Sequence, residues 1–364
     1  MDVARLAGVS QKTVSRVFNN EAYVSAEVRR RVLEAAEELG YRLNHAARAL
    51  ASGRTRSIGV VSLGTALYGP ASLLIGIERA ARDTGYALRV VYTLEGDPGG
   101  IAGAIDFLLN QGVDGIVISE PIDEEADEGT VWAGVDVPVL VLGAPAPFGA
   151  ARTLCAGVGA DLLARAATEH LLDLGHATVH HLAGPQRWYA ARDRLAGWRA
   201  ALADRGCDQP PVVEGDWSAA SGYAAGRELA ADADVTAVFA ANDDMAIGLM
   251  RALVEAGRRV PDDVSVIGFD DTPVAAYVTP PLTTMRQPFD PVAQEGLRLL
   301  VHAIEKPDVD LPPAHDPPVD LVLRASTAPA PSRTPLSRGR RTATRPRNVP
   351  RTGAPADGGL SDHP

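Results

Sequence analysis

Four side chains in the C-terminal half bring together a guanidinium, an indole, an amide and a carboxylate. Arg194 in "AARDRLAGW", Trp217 in "EGDWSAASGY", Asn242 in "AANDDMA" and Asp270 in "GFDDT" cluster just past the ends of short apolar runs. A guanidinium, an amide and a carboxylate hydrogen-bond vicinal hydroxyls in pairs, and an indole offers a flat apolar face. Arg192, Asp243 and Asp271 share these stretches. For Asp243 and Asp271 another reading stands beside this one, because Asn or Asp after a strand caps the next helix. Trp188 reads as a lobe-surface aromatic.

A second polar set opens the chain in "VARLAGVSQKTVSRVFNN". Val3, Leu6 and Ala7 form one apolar stripe, and Val14, Val17 and Phe18 form another at i, i+3, i+4 spacing. Gly8 suits the sharp corner between them, and Ser10 suits the N-cap of the second helix. Gln11, Lys12, Ser15, Arg16 and Asn19 are then left outside. This is a helix-turn-helix pattern whose outward face suits base edges and phosphates; an ordinary helical hairpin with a solvated face is the alternative.

These sites need elements to position them. A third helix is expected from the cap Ser25 to Gly40, with Val28, Val32, Ala35 and Leu39 as its buried stripe. Asn44 caps a short helix in "LNHAARALASGRTRS", too short to be stable alone, and this stretch reads as a hinge. From Ser57, β-branched runs ("SIGVVS", "ALRVVY", "GIVIS", "VPVLVLG") alternate with helical ones. After a Gly/Ala/Pro-rich break at 143–160 the alternation restarts with "ATVHHLAG", "PVVEGD", "AVFAAND" and "VSVIGFDD". Two doubly wound α/β lobes with parallel sheets and a cleft between them are predicted. The Pro/Arg-rich stretch 328–364 reads as disordered.

Charge divides along the chain. The net charge is −11, yet residues 1–56 hold ten basic and six acidic side chains, and the stretch from 328 holds seven arginines against two aspartates. A basic head on an acidic body directs polyanions to the head. Cys155 and Cys207 stand far apart without metal or disulfide spacing, no signal-peptide pattern opens the chain, and no apolar run spans a membrane. A cytoplasmic, nucleoid-associated protein without metal or cofactor is expected. In "GVGADL", Leu162 replaces the third glycine of a dinucleotide loop. "HATVHH" lies on a predicted strand without metal-ligand partners, so structural histidines are expected there. No nucleophile–base pair is legible, and an enzyme is the least favoured reading.

The motifs "DVARLAGVSQKTVSRVFNN", "VSAEVRRRVLEAAEELGY", "LNHAARALASGRT", "LAGP", "RLAGW", "GDW", "ANDDMAIG", "VSVIGFDDT", "PPLTTMRQP" and "LVLRAST" occur in this order. With them the chain resembles the lac repressor family of bacterial transcription regulators over residues 2 to about 327. The resemblance implies a helix-turn-helix headpiece at 1–42, a hinge helix and linker at 43–56, and a periplasmic-binding-protein-like core at 57–327 that dimerises. Its lobes would be about 57–156 with 287–317, and 157–286 with 318–327. Gln11, Lys12 and Arg16 would face base edges of double-stranded operator DNA, and Thr13, Ser15, Asn19 and Ser25 the phosphates. Asn44 and Ala47 would join them from the hinge, with Leu50 wedged between base pairs. Arg194, Asn242 and Asp270 would hold a small-molecule effector walled by Trp217 and Phe289, and "YGPASLLIGIERAARDTGY" would be the dimer surface.

There are departures from the family pattern. Met1 directly precedes Asp2, so the first helix is expected to lack a preceding Thr cap, and Leu43 replaces a proline before the hinge asparagine. The tail lacks a leucine heptad, so a homodimer is expected and no coiled-coil tetramer. The resulting expectation is a repressor of sugar-utilisation genes released from its operator by a small sugar. A corepressor-type regulator responding to a purine or other metabolite is the alternative, and a stand-alone sugar-binding protein is less favoured.

Overall fold

The computed structural model describes residues 2–18, 23–41, 53–64, 66–93, 99–123, 135–143, 152–315, 318 and 320–332. Asn19, Asn44, Ala47, Leu50 and the stretch from 333 onward lie outside them. The chain opens with three helices: α1 (Asp2–Leu6), α2 (Gln11–Phe18) and α3 (Ala26–Glu38). Their shared core is made of Val3, Ala4, Ala7, Val14, Val17, Val32, Ala35 and Ala36. Two stripe positions differ from expectation. Leu6 and Leu39 are about half exposed (47% and 46%), while the neighbouring Ala4 and Ala36 are buried. Alanine lets short helices approach closely, and the larger leucines stay at the rim.

The corner between α1 and α2 forms as the sequence suggests. Gly8 takes φ +63°, and an added Cβ would stand 2.8 Å from Arg31 Nη2. That guanidinium donates to the carbonyls of Ala7 and Gly8. Arg29 likewise donates to the Val17 carbonyl at 3.2 Å. These two arginines help tie α3 to the ends of α1 and α2.

Two sheets follow. The first contains β1 (Ser57–Leu63), β2 (Ala87–Thr93), β3 (Gly115–Ile118), β4 (Val139–Leu142) and β5 (Thr153–Ala156) in the order β2-β1-β3-β4-β5, all parallel. Its helices are α4 (Tyr68–Asp83), α5 (Gly100–Asn110) and, from late in the chain, α10 (Phe289–Glu305). The second contains β6 (His180–Ala183), β7 (Val213–Glu214), β8 (Ala237–Ala240), β9 (Ser265–Asp270), β10 (Thr283–Arg286) and β11 (Asp320–Val322), ordered β11-β10-β9-β8-β6-β7. Only β11 runs antiparallel. Its helices are α6 (Ala160–Asp173), α7 (Tyr189–Asp204), α8 (Ala219–Ala231) and α9 (Asp243–Glu255).

Strand β5 falls inside the stretch read as a break at 143–160. Its residues Thr153–Ala156 are only partly buried, with Cys155 exposed, and they include a single large aliphatic, so no apolar run marks them. The segment read as disordered from 328 also begins in place: the Ala328 and Ala330 amides donate to Ser265 Oγ and the Leu174 carbonyl at 3.0 and 2.9 Å. The last residues of the expected linker are anchored too. The Thr55 and Arg56 amides donate to the two Asp114 carboxylate oxygens at 3.0 and 2.8 Å.

Candidate effector cleft and DNA-facing headpiece

Helix α7 shows how a charged side chain reaches the cleft. Ala191, Arg194, Leu195 and Trp198 follow helical spacing on its buried face, so a guanidinium occupies a core position. Arg194 Nη1 donates to the Ala241 carbonyl, and Nη2 stands 3.7 Å from Asp270 Oδ1. Its guanidinium lies 3.9 Å from the Phe269 ring centroid and 5.4 Å from that of Trp217. Such packing stabilises a planar cation away from water. Burial lowers the arginine's proton affinity, and Asp270 opposes that shift.

Asp270 ends β9 in a left-handed backbone conformation, φ +112°. Trp217 (φ +73°) and Asp271 (φ +56°) share this strained region with it. Strain of this kind persists where the surroundings over-determine a geometry, commonly at binding sites. Burial pushes the Asp270 carboxyl up to about 6, against the pull of Arg194 and of a 2.5 Å hydrogen bond donated by Gln287. Asp270 caps no helix, because the 3-10 turn Pro273–Ala276 begins after Thr272 without a side-chain cap.

Asn242 is the N-cap of α9. Its Oδ1 accepts from the Met245 amide at 2.9 Å, and its Nδ2 donates to the Trp217 carbonyl at 2.9 Å. The amide therefore both starts a helix and fixes the tryptophan loop. Trp217 packs so tightly on Gly184 that a Cβ there would stand 2.1 Å from its ring. That is why "LAGP" needs its glycine.

Arg194, Trp217, Asn242, Asp270 and Phe289 line one cleft together. Phe289, the first residue of α10, comes from the first-sheet lobe and meets Tyr68 edge-on at 6.0 Å. About 1030 Å³ of empty space lies within the cleft, the solvent at its open mouth included.

Several expected participants lie elsewhere. Arg192 pairs with Asp123 at 2.9 Å and stacks on Tyr189. Asp271 pairs with Arg286 and Arg324 at 2.8 and 2.5 Å. Asp243 is buried beneath the cleft floor, accepting from Thr272 and Thr284, and burial pushes its carboxyl up to about 7. Both aspartates are thus structural, although neither caps a helix through its side chain.

The sequence reading missed Trp188, which is 7% exposed, lines the cleft, and meets Trp217 edge-on at 5.6 Å. It also pairs with Ile122 across an antiparallel bridge that joins the two lobes. Glu120, Asp193 and Gln287 line the cleft as well. Glu120 follows "GIVIS" directly, so the post-strand rule that picked out Asn242 applied to it equally. His181 has a structural role, stacked between Trp198 and Phe239, and burial pushes it down to about 4. His176 sits ahead of β6 and bonds Thr236, Ser265 and the Ala328 carbonyl.

In the headpiece, Gln11, Lys12, Ser15 and Arg16 are exposed on α2. Thr13 is half-buried; its amide donates to Ser10 Oγ at 3.1 Å, and the two hydroxyls meet at 2.8 Å. The Ser25 hydroxyl caps α3 by accepting from the Val28 amide at 3.3 Å. Among the described residues no helix is long and apolar enough to cross a membrane, and no His/Cys/Asp/Glu cluster with metal-binding geometry occurs.

Residues 1–44 match the bacterial regulatory proteins of the lacI family, and residues 168–327 match the periplasmic binding protein-like domain. The chain is 36% identical over 301 residues to the lactose operon repressor of Escherichia coli K12, covering 82% of this chain and 83% of that one. It is 35% identical over 312 residues to the ribose operon repressor of the same strain, covering 84% and 93%. A solved lac repressor dimer bound to operator and the anti-inducer ONPF superposes with a TM-score of 0.76 at 36% identity, covering 90% of this chain and 98% of that one. Both relatives are named as operon repressors, not enzymes. The chain belongs to the lacI family of bacterial regulatory proteins and is a DNA-binding transcription regulator with a helix-turn-helix headpiece and a two-lobed α/β core.

Proposed function

We propose that this regulator is a dimeric, cytoplasmic, nucleoid-associated repressor of sugar-utilisation genes, released from its operator by a small sugar bound in the cleft. The observation that carries this reading is the cleft's material. A buried guanidinium and carboxylate, Arg194 and Asp270, stand beside the two indoles Trp188 and Trp217. Polar pairs suit hydroxyls, and aromatic faces suit the C–H surface of a sugar ring. Arg194, Asn242 and Asp270 orient the sugar, while Trp217 and Phe289 wall it.

Gln11, Lys12 and Arg16 read base edges, and Thr13, Ser15, Asn19 and Ser25 meet phosphates. Asn44, Ala47 and Leu50 act from the hinge, Leu50 as an apolar wedge in the minor groove. The headpiece is 1–42, the hinge 43–56, and the core runs from 57 to about 327. A sugar that touches both lobes favours one angle between them, and its differential affinity for the two states sets how far DNA binding shifts. The chain acts by binding, with no catalytic step.

The test uses the full chain and duplexes selected by it from a random pool. Lactose, ribose, cellobiose and hypoxanthine are titrated into the complex while fluorescence anisotropy follows release. One sugar is expected to weaken DNA binding at least tenfold. Tighter DNA binding with hypoxanthine, and no response to any sugar, would replace this reading with corepression by a purine.

A further inference from the structure

Glu120 occupies a special place in the first sheet. In the order β2-β1-β3-β4-β5, the chain turns from one side of β1 to the other between β2 and β3. Ligands of open α/β sheets bind outside the carboxyl ends of the strands at such a switch point. Glu120 stands two residues past the end of β3, and its carboxylate reaches across to the end of β1. Oε2 accepts from Ser62 Oγ at 3.0 Å, the Leu63 amide at 3.1 Å and Ser119 Oγ at 2.7 Å. Three donors on one oxygen lock the side chain.

The other oxygen is left over. Oε1 is buried and has no hydrogen-bond partner, although Glu120 lines the cleft. A buried acceptor without a donor is costly, and a donor brought by a ligand relieves that cost. Arg194 Nε and Trp217 Nε1, on the opposing lobe, also lack partners. The second sheet repeats the arrangement, since its own switch point lies between β6 and β8, and Asn242 follows β8. Burial raises the proton affinity of Glu120 and of Asp193. Hydrogen-bond donors to Glu120 and the guanidinium groups near Asp193 and Asp270 oppose that effect and favour the ionised forms. Among the described residues the lining thus sets three carboxylates, Glu120, Asp193 and Asp270, against one cation, Arg194. A phosphate or carboxylate entering this space meets like charge with little water to screen it.

We propose that Glu120 accepts an effector hydroxyl through Oε1 and sets the effector's charge class, admitting uncharged sugars and refusing phosphorylated or oxidised ones. This rests on the sugar reading given above. The test is calorimetric titration of the full chain with ribose, glucose, lactose and cellobiose, each beside its monophosphate ester, together with gluconate and hypoxanthine. The unaltered protein is expected to bind one neutral sugar at least 100-fold tighter than its ester. E120Q, nearly isosteric but uncharged, is expected to weaken that sugar about 10-fold and to narrow the gap to the ester by about 10-fold, because a charge-assisted hydrogen bond becomes a neutral one.

Unchanged affinities and an unchanged gap in E120Q would overturn the role of Glu120 while leaving the sugar reading intact. Binding of hypoxanthine alone would overturn the sugar reading, and the inference about charge class with it. An ester or gluconate bound more tightly than its neutral parent by the unaltered protein would overturn the proposal without any variant.

Discussion

In the headpiece, the side chains proposed to meet DNA stand in solvent, with Gln11, Lys12, Ser15 and Arg16 all exposed on α2. In the cleft, Arg194, Trp217, Asn242 and Asp270 are between 5% and 8% exposed, and each is held by packing or hydrogen bonds. The scaffolds differ as much as the surfaces. Valine and alanine make the headpiece core, whereas Trp198, Phe239 and Phe269 are fully buried behind the cleft. Long exposed side chains suit a polyanion whose affinity is largely electrostatic. A buried, pre-set array suits a small ligand, because little ordering is left to be done on binding. Damage should therefore propagate differently in the two regions: through folding and effector response in the cleft, and through DNA affinity alone on α2.

Arg194→Ala breaks the comparison hardest. It leaves Asp270 in the cleft without its paired cation and takes from Asp193 one of two nearby guanidinium groups. Removing one partner of a buried pair costs about 3–5 kcal/mol. Thermal or denaturant unfolding is expected to report a loss of that order, and sugar response should vanish. A variant as stable as the parent would mean that the cleft is wet and Arg194 is not embedded as described.

Arg16→Ala sharpens the other side. Operator affinity is expected to fall by about 1–3 kcal/mol with relaxed preference at one base pair, as for a bidentate guanine contact. Sugar affinity and unfolding should not move. An equal loss on scrambled DNA would reassign Arg16 to phosphate.

The smallest expected effect is with pH. The Asp270 carboxyl titrates at about 6, above its unfolded value near 3.8. Through this group the folded state gains stability that is fully present below pH 3.8 and is lost as pH rises through about 6. Sugar binding runs the other way, since a hydroxyl donates best to the ionised form. Affinity should rise up to about tenfold per pH unit, about 1.4 kcal/mol, approaching pH 6 from below, and then level off. Asp270→Asn should flatten that rise, and calorimetry across pH 5 to 8 checks it.

Much of this architecture was legible because its signals are local. The helix–Gly–helix corner, the caps Ser10 and Ser25, and the alternation of apolar runs with helices are short-range patterns. Strand-end positions likewise pointed to Asn242 and Asp270, whereas Arg194, read as just past a strand, lies on the buried face of α7. What escaped depends on long-range packing. Trp188, a cleft wall, is met by Ile122 across the lobes and by Trp217 edge-on, both distant in sequence. Arg192 leaves the cleft because Asp123, distant in sequence, claims it. Whether an aspartate past a strand end binds ligand or braces a sheet depends on neighbours that no local window contains, such as Arg324 beside Asp271 and Thr284 beside Asp243. In the headpiece, Leu6 and Ala4 lie almost equally near the core side of a helix barely longer than one turn, and interhelical distance decided between them.

The central claim is that a sugar held by the cleft controls a headpiece with a core of its own. It is tested most directly with Asp270→Ala on a duplex selected by the unaltered protein. Whichever of lactose, ribose and cellobiose releases that protein is titrated into both complexes. The account predicts that the variant binds the duplex with unchanged affinity and stays bound at sugar concentrations that release the parent. The lost charge-assisted bonds, about 1.5–3 kcal/mol each, correspond to a shift of roughly 10 to 100-fold or more in the sugar required. Release of the variant at the parent's sugar concentration would contradict it.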